Sequence, residues 1–124
     1  MRQDILYRRK GVLVRRMRLE PHEASPWHVD TCHRVSVVLS GSQLAIERRN
    51  GEPPHKVRVR VGQVDWDEPG SEVHRAVNVG RQQYEEVVVF FLAYPGQNPQ
   101  PPSFVRTRRR TTRSIWTPPV KRKE

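Results

Sequence analysis

Between Val12 and Leu92 the apolar residues come in short bursts, each closed by glycine, proline or asparagine. VLVRRMRL (Val12–Leu19) is a β-type run ended by Pro21, and VSVVL (Val35–Leu39) stops at Ser40-Gly41. QLAIERR runs into Asn50-Gly51, a dipeptide suited to the positive φ angles of a tight hairpin turn. KVRVRV alternates strictly, with Val57, Val59 and Val61 on one face and Lys56, Arg58 and Arg60 on the other. That pattern predicts a half-buried strand with one wet side, ended by Gly62. QVDW, EVHRAV and EEVVVFFL follow, separated by Pro69-Gly70 and by Asn78-Val79-Gly80. The apolar run Val87–Leu92 predicts a central strand buried on both faces. No window carries helical periodicity. Seven or eight short strands at near-regular spacing predict an all-β sandwich or small barrel.

After Tyr94 the composition changes. Residues 95–124 hold six of the eleven prolines and almost no apolar periodicity. Such a segment buries too little surface to offset its ordering entropy. The expected organisation is therefore a domain over 1–94 and a disordered basic tail over 95–124, with Ser114–Trp116 as a local anchor. The charge follows the same division. The formal net charge is +10, but residues 1–94 carry 15 Lys/Arg against 12 Asp/Glu, and residues 95–124 carry 8 against 1. RTRRRTTR (106–113) has the charge to neutralise nucleic-acid phosphates. The reading preferred for it is a solvated charge run, because only Phe104 and Trp116 accompany it as stacking aromatics. One cysteine, Cys32, excludes an internal disulfide and any multi-cysteine zinc cluster. MRQDILYRRK lacks the apolar run of a signal peptide, and no segment has the length of a membrane span, so a cytoplasmic, non-membrane protein is expected.

Two stretches carry a family resemblance. Gly62, Pro69-Gly70 and His74-Arg75-Ala76-Val77-Asn78 follow the pattern P-x-G-x2-H-x3-N, except that proline and glycine are adjacent. Upstream, His28 and Gly41 fall in the frame G-x5-H-x-H-x3-E-x6-G, with His22 at the opening glycine, Asp30 at the second histidine and Arg34 at the glutamate. On these residues the chain resembles the cupins, specifically the small single-domain bacterial members. The resemblance spans roughly residues 12–94 and implies a small double-stranded β-helix (cupin or jelly-roll barrel) with a site inside it. Gly41, Gly62, Pro69, Gly70 and Asn78 would then be structural motif positions. Small cupins often form homodimers through edge strands, and Val12–Leu19 is the segment expected there.

In that family, histidines and a glutamate converge on one divalent metal, commonly iron, manganese, nickel or zinc. Carried over, the donors are His28, Asp30 and His74. Two imidazoles and a carboxylate form the facial set that suits ferrous iron. His-x-Asp with a distant His also resembles the 2-oxoglutarate oxygenases. Those need an inward arginine well beyond the last histidine, however, and Arg81 follows His74 by only seven residues, in a turn. Arg34 stands where a ligand is expected, and a guanidinium cannot donate to a metal. Facing inward, it would repel a cation, pair with Asp30, or hold an anionic ligand by its bidentate fork. A register shifted by one residue would instead turn His33 inward as a third imidazole. His28 and His74 also read as barrel histidines that bind no metal. Trp27 and Trp66 read as core or rim aromatics, His22 and His55 as solvated, and Cys32 as an inert thiol.

Three functions follow. One is a metal-dependent enzyme (dioxygenase, isomerase or lyase) acting on a small polar molecule. Another is a non-catalytic barrel binding a small organic acid through Arg34 and the histidines. The last is nucleic-acid association through residues 106–113.

Overall fold

The computed structural model describes residues 1–93. The expected tail, including residues 106–113 and Ser114–Trp116, lies outside the described residues. Eight strands occur among those described: β1 (Arg2–Arg9), β2 (Val12–Leu19), β3 (His33–Ser40), β4 (Gln43–Arg48), β5 (His55–Arg58), β6 (Val64–Asp67), β7 (His74–Asn78) and β8 (Tyr84–Phe91). They form a five-stranded sheet, β1-β2-β8-β3-β6, and a three-stranded sheet, β5-β4-β7. Every pairing is antiparallel. No helix of the described residues is long and apolar enough to cross a membrane.

Period-two alternation decides which side of each strand faces inward. Met17 and Leu19 of β2, Val38 of β3 and Tyr84 of β8 pack with Leu44 of the smaller sheet as the buried core. Ladder pairing puts Leu19 level with Tyr84, and Glu86 level with both Met17 and Val38. Leu19 is fully buried, so truncation to alanine would cost about 2–5 kcal/mol. This closed end of the molecule is apolar. Toward the other end, the inward rows of β2 and β3 bring in Arg15, Ser36 and Arg34, while that of β8 continues as Val88 and Phe90.

Several expectations need correction. β1 was not foreseen, because RQDILYRR is mostly polar; it forms by pairing with the free side of β2. β2 consequently lies between β1 and β8, and Val12–Leu19 is not an edge. The edge belongs to β1, whose Ile5, Leu6 and Tyr7 are exposed. β8 does occupy the centre of its sheet, but only its inner face is covered: Val88 is buried, while Val87 and Val89 are half-buried. Asn50-Gly51 does not close a two-residue hairpin, since β5 begins only at His55. Pro53 and Pro54 have no N–H to give a ladder, and Asn50 Oδ1 instead accepts the Glu52 N–H at 3.0 Å. Val61 is 70% exposed rather than packed. The chain there has left the small sheet: Gly62 N donates to Val38 O (2.8 Å) and Val38 N to Gln63 O (2.9 Å), tying the segment to β3.

Three motif positions have visible structural reasons. Gly41 has φ +123°, and a Cβ there would lie 2.8 Å from Tyr84 Cδ1. Gly62, at φ +87°, makes the turn into β6. Asn78 is fully buried. Its Nδ2 donates to Leu19 O and Gln82 O, and its Oδ1 accepts from Gly80 N, each at 2.9 Å. One side chain thus joins the ends of β2, β7 and the turn before β8.

Candidate metal centre

His28, Asp30 and His74 come together inside the barrel, with one donor atom from each lying within 4.8 Å of the others. His28 belongs to a segment that runs antiparallel to β7, bridged at Ala24–Val77 and at His28–His74. Ser25 fixes this segment, its N donating to Ala76 O (2.9 Å) and its Oγ accepting from Ala76 N (3.0 Å). Asp30 follows in a loop whose carbonyl accepts the Gly70 N–H at 2.9 Å. The Pro69-Gly70 motif therefore reaches the site through backbone contact.

The outer nitrogen of each imidazole is committed. His28 Nδ1 lies 2.7 Å from Pro26 O, and His74 Nδ1 lies 3.0 Å from Glu72 O. A carbonyl only accepts, so each Nδ1 carries the proton and a neutral ring presents a bare Nε2 to the interior. Both Nε2 atoms face Asp30 Oδ2, His74 at 2.9 Å and His28 at 3.4 Å. Three acceptors converging on one point repel one another unless a cation or added protons sit among them. A carbonyl behind each ring is also the usual outer support of a histidine metal ligand. The donor set fits a divalent metal.

Arg34 points inward. Its Nη2 lies 3.3 Å from Asp30 Oδ2 and 3.8 Å from Asp67 Oδ2, and Nη1 donates to Cys32 O at 3.4 Å. Of the three roles open to it, the structure shows pairing with Asp30. The shifted register is excluded: Arg34, Ser36 and Val38 share the inner face, and His33 turns outward, buried beside Trp66 with ring centroids 5.5 Å apart. A slip of one residue would expose Val38. Trp27, the other indole near the motif, has the guanidiniums of both Arg49 and Arg75 over its ring, each 4.6 Å from the ring centre. His22, His55 and Arg81 are exposed, and Cys32 lines the cavity.

The cavity measures about 490 Å³, within the usual range for a small-molecule site. Its lining includes residues that the sequence reading did not single out: Arg15, Ser36, Asp67, Tyr84 and Glu86. The signal was present in the alternation. Leu13, Arg15, Met17 and Leu19 share one face of β2, and Tyr84, Glu86, Val88 and Phe90 share one face of β8. Burial pushes the Glu86 carboxyl above the ordinary range, against the lowering effects of the Tyr84 hydroxyl and of Arg15 and Arg34. Tyr84 Oη donates to Glu86 Oε1 at 2.6 Å, and burial, then Glu86, holds that phenol protonated. Burial likewise raises Asp67, opposed by Arg34.

No family model matches the chain, and no curated protein is similar to it in sequence. Solved structures are similar. A cupin domain from Bordetella pertussis is 20% identical, with a TM-score of 0.66 over 73% of this chain and 92% of that one. A double-stranded β-helix protein from Klebsiella pneumoniae is 21% identical, with a TM-score of 0.58 over 76% of this chain and 78% of that one. A predicted oxalate decarboxylase from Thermotoga maritima is 23% identical, with a TM-score of 0.55 over 73% and 78%. The chain has the cupin fold, a double-stranded β-helix.

Proposed function

We propose that His28, Asp30 and His74 hold one divalent metal ion, and that the barrel is a metal-dependent enzyme acting on a small polar molecule. One observation carries this reading: two imidazoles with their Nδ1 protons anchored on carbonyls turn bare Nε2 atoms onto one carboxylate. Iron and manganese suit a set of two nitrogens and one oxygen with open positions; nickel and zinc are the other candidates. When bound, the metal supplies a Lewis acid that polarises an oxygen of the substrate, which serves lyase, isomerase and dioxygenase chemistry alike.

The protein's own residues supply the rest. His28 is 39% exposed at the side chain and Asp30 only 17%, so a small molecule reaches the centre from the His28 side. Arg34 holds Asp30 in place and offsets its charge. Glu86, with its raised affinity for a proton, stands deeper in the cavity as a proton donor or acceptor. Similarity to a predicted oxalate decarboxylase of the same fold supports a small acid as substrate. Arg34 is already engaged by two carboxylates, which weighs against a purely anion-binding barrel organised on that residue.

Elemental analysis of the purified chain, before and after reconstitution with Fe²⁺, Mn²⁺, Ni²⁺ and Zn²⁺, tests the reading. Near-stoichiometric metal that disappears in a His28→Ala, His74→Ala double variant is expected. Failure of every metal to bind a folded wild-type chain would overturn it.

A further inference from the structure

Arg15 lies on the inner face of β2 and lines the cavity. Its Nε is buried and has no hydrogen-bond partner. Its guanidinium rests over the Phe90 ring at 4.9 Å, and no carboxylate among the described residues forms an ion pair with it. Arg15 is half-buried and the Glu86 carboxyl feels its charge, but its hydrogen-bonding capacity is not filled by the protein, which leaves room for an acceptor from outside. Across β8, Val88 pairs with Arg15 on one side and Ser36 on the other, so Arg15 and Ser36 occupy one level of the barrel wall. Arg34 stands one inward row nearer the metal centre, level with Phe90. Strand spacing places the Arg15 and Arg34 backbones about 10 Å apart across the sheet and about 7 Å apart along it. The two side chains therefore flank a short stretch of cavity.

We propose that Arg15, with the Ser36 hydroxyl, is a carboxylate-recognition subsite, and that the substrate is a short-chain organic acid. Its carboxylate would sit on Arg15 and its reacting end at His28, Asp30 and His74. The substrate class rests on the metal-enzyme reading above; the anion subsite itself does not. The planar guanidinium matches a carboxylate in bidentate fashion through its two Nη groups. Phosphate fits less well. Asp30, Asp67 and Glu86 line the same cavity and would repel a head that concentrates two charges, whereas each carboxylate of a short acid carries one, and a dicarboxylate can place its second at the metal centre. The raised proton affinity of Glu86 reduces that repulsion for a monoanionic head. Phe90 and Val88 supply apolar wall for a carbon chain between the two ends.

Succinate, its uncharged diamide and inorganic phosphate are the probes. Calorimetric titration of the full chain is expected to show succinate binding at least tenfold tighter than either of the others. Arg15→Gln should weaken succinate at least tenfold while metal stoichiometry stays unchanged. Arg15→Lys, which keeps the charge and loses the fork, should recover part of the affinity. In ¹⁵N-labelled wild-type protein, the Nε–H resonance absent from Arg15→Lys should shift on adding succinate; this readout does not depend on the Gln variant folding. Succinate that binds with that resonance unmoved, or tight binding of phosphate alone, would overturn the subsite. Stoichiometric metal without succinate binding would also sink the subsite and leave the metal reading standing. Succinate binding on Arg15 with no metal uptake would sustain the subsite and sink the metal reading.

Discussion

His28 and His74 exchange both of their backbone hydrogen bonds, each 2.9 Å long, across a single antiparallel bridge. Their rings consequently stand side by side, with centroids 4.6 Å apart and planes tilted by 56°. The spacing of the two imidazoles is therefore set by main chain, and Asp30 is the more adjustable member of the set. That difference makes the third position the one where substitution is most informative.

Arg34 competes with a metal for Asp30. Replacing it with methionine leaves the carboxylate free to turn fully toward Nε2 of both rings. Arg34→Met is expected to destabilise the metal-free protein by about 3 kcal/mol, since it strands a partly buried carboxylate. It should also tighten metal binding about tenfold, equivalent to about 1.4 kcal/mol. Denaturant unfolding and metal titration on the same preparation check both signs. Weaker metal binding would mean that Arg34 orients Asp30 rather than restraining it.

Glu86 makes stability depend on pH in a definite direction. Its folded pKa is raised above the ordinary value of 4.5, with burial as the leading cause. The native state then binds more protons than the unfolded chain in the window from about 4.5 upward, so stability falls as pH rises through it. Below that window both states are protonated, the slope vanishes and the full stability is present. Glu86→Gln should flatten this slope and stabilise the protein at neutral pH, as read from urea midpoints across pH 4 to 8. A slope unchanged in the variant would assign the effect to Asp67, which is shifted the same way.

Gly41→Ala combines two penalties. The residue sits at φ +123°, and the new methyl would press on Tyr84, both its ring and its Cα at 3.2 Å. A loss of about 2–4 kcal/mol is expected, and calorimetric unfolding measures it. The ring it would displace donates to Glu86, so the pH slope described above should change as well.

His22 occupies a glycine position of the cupin frame and holds φ at 74°. Its N–H donates to Asn78 O at 2.7 Å, so the turn is kept despite the side chain. His22→Gly should stabilise the fold by about 0.5–1 kcal/mol, the αL cost relieved less the entropy that glycine adds to the unfolded chain. A lower melting temperature in the variant would show that the exposed imidazole makes a compensating contact.

The alternating and turn-bounded segments were legible from sequence. Val12–Leu19 and the span Gln43–Arg48 emerge as strands at those positions, and the two motifs mark His28, Asp30 and His74, which the fold brings together. β1 was not legible because its strand character comes from pairing, not from its own pattern. Residues of β8 were misjudged for a related reason. A run of valines and phenylalanines reads as buried on both faces, yet whether the outer face is covered depends on layers that one strand's composition does not encode. The choice between Arg34 and His33 is not encoded in the strand's own pattern; burial of Val38 in the core decides it. Glu86 and Arg15 were hidden because an isolated charge in a strand ordinarily faces water.

Trp27 directly precedes His28, and Arg75, one of the two cations stacked on it, directly follows His74. The indole is thus wired by covalent neighbours to both nitrogen ligands while facing away from them. A shift of either histidine on taking up an ion should be felt in the contacts of Arg49 and Arg75 with Trp27. Native emission from Trp27 should therefore report occupancy of the barrel without a label: an intrinsic optical gauge.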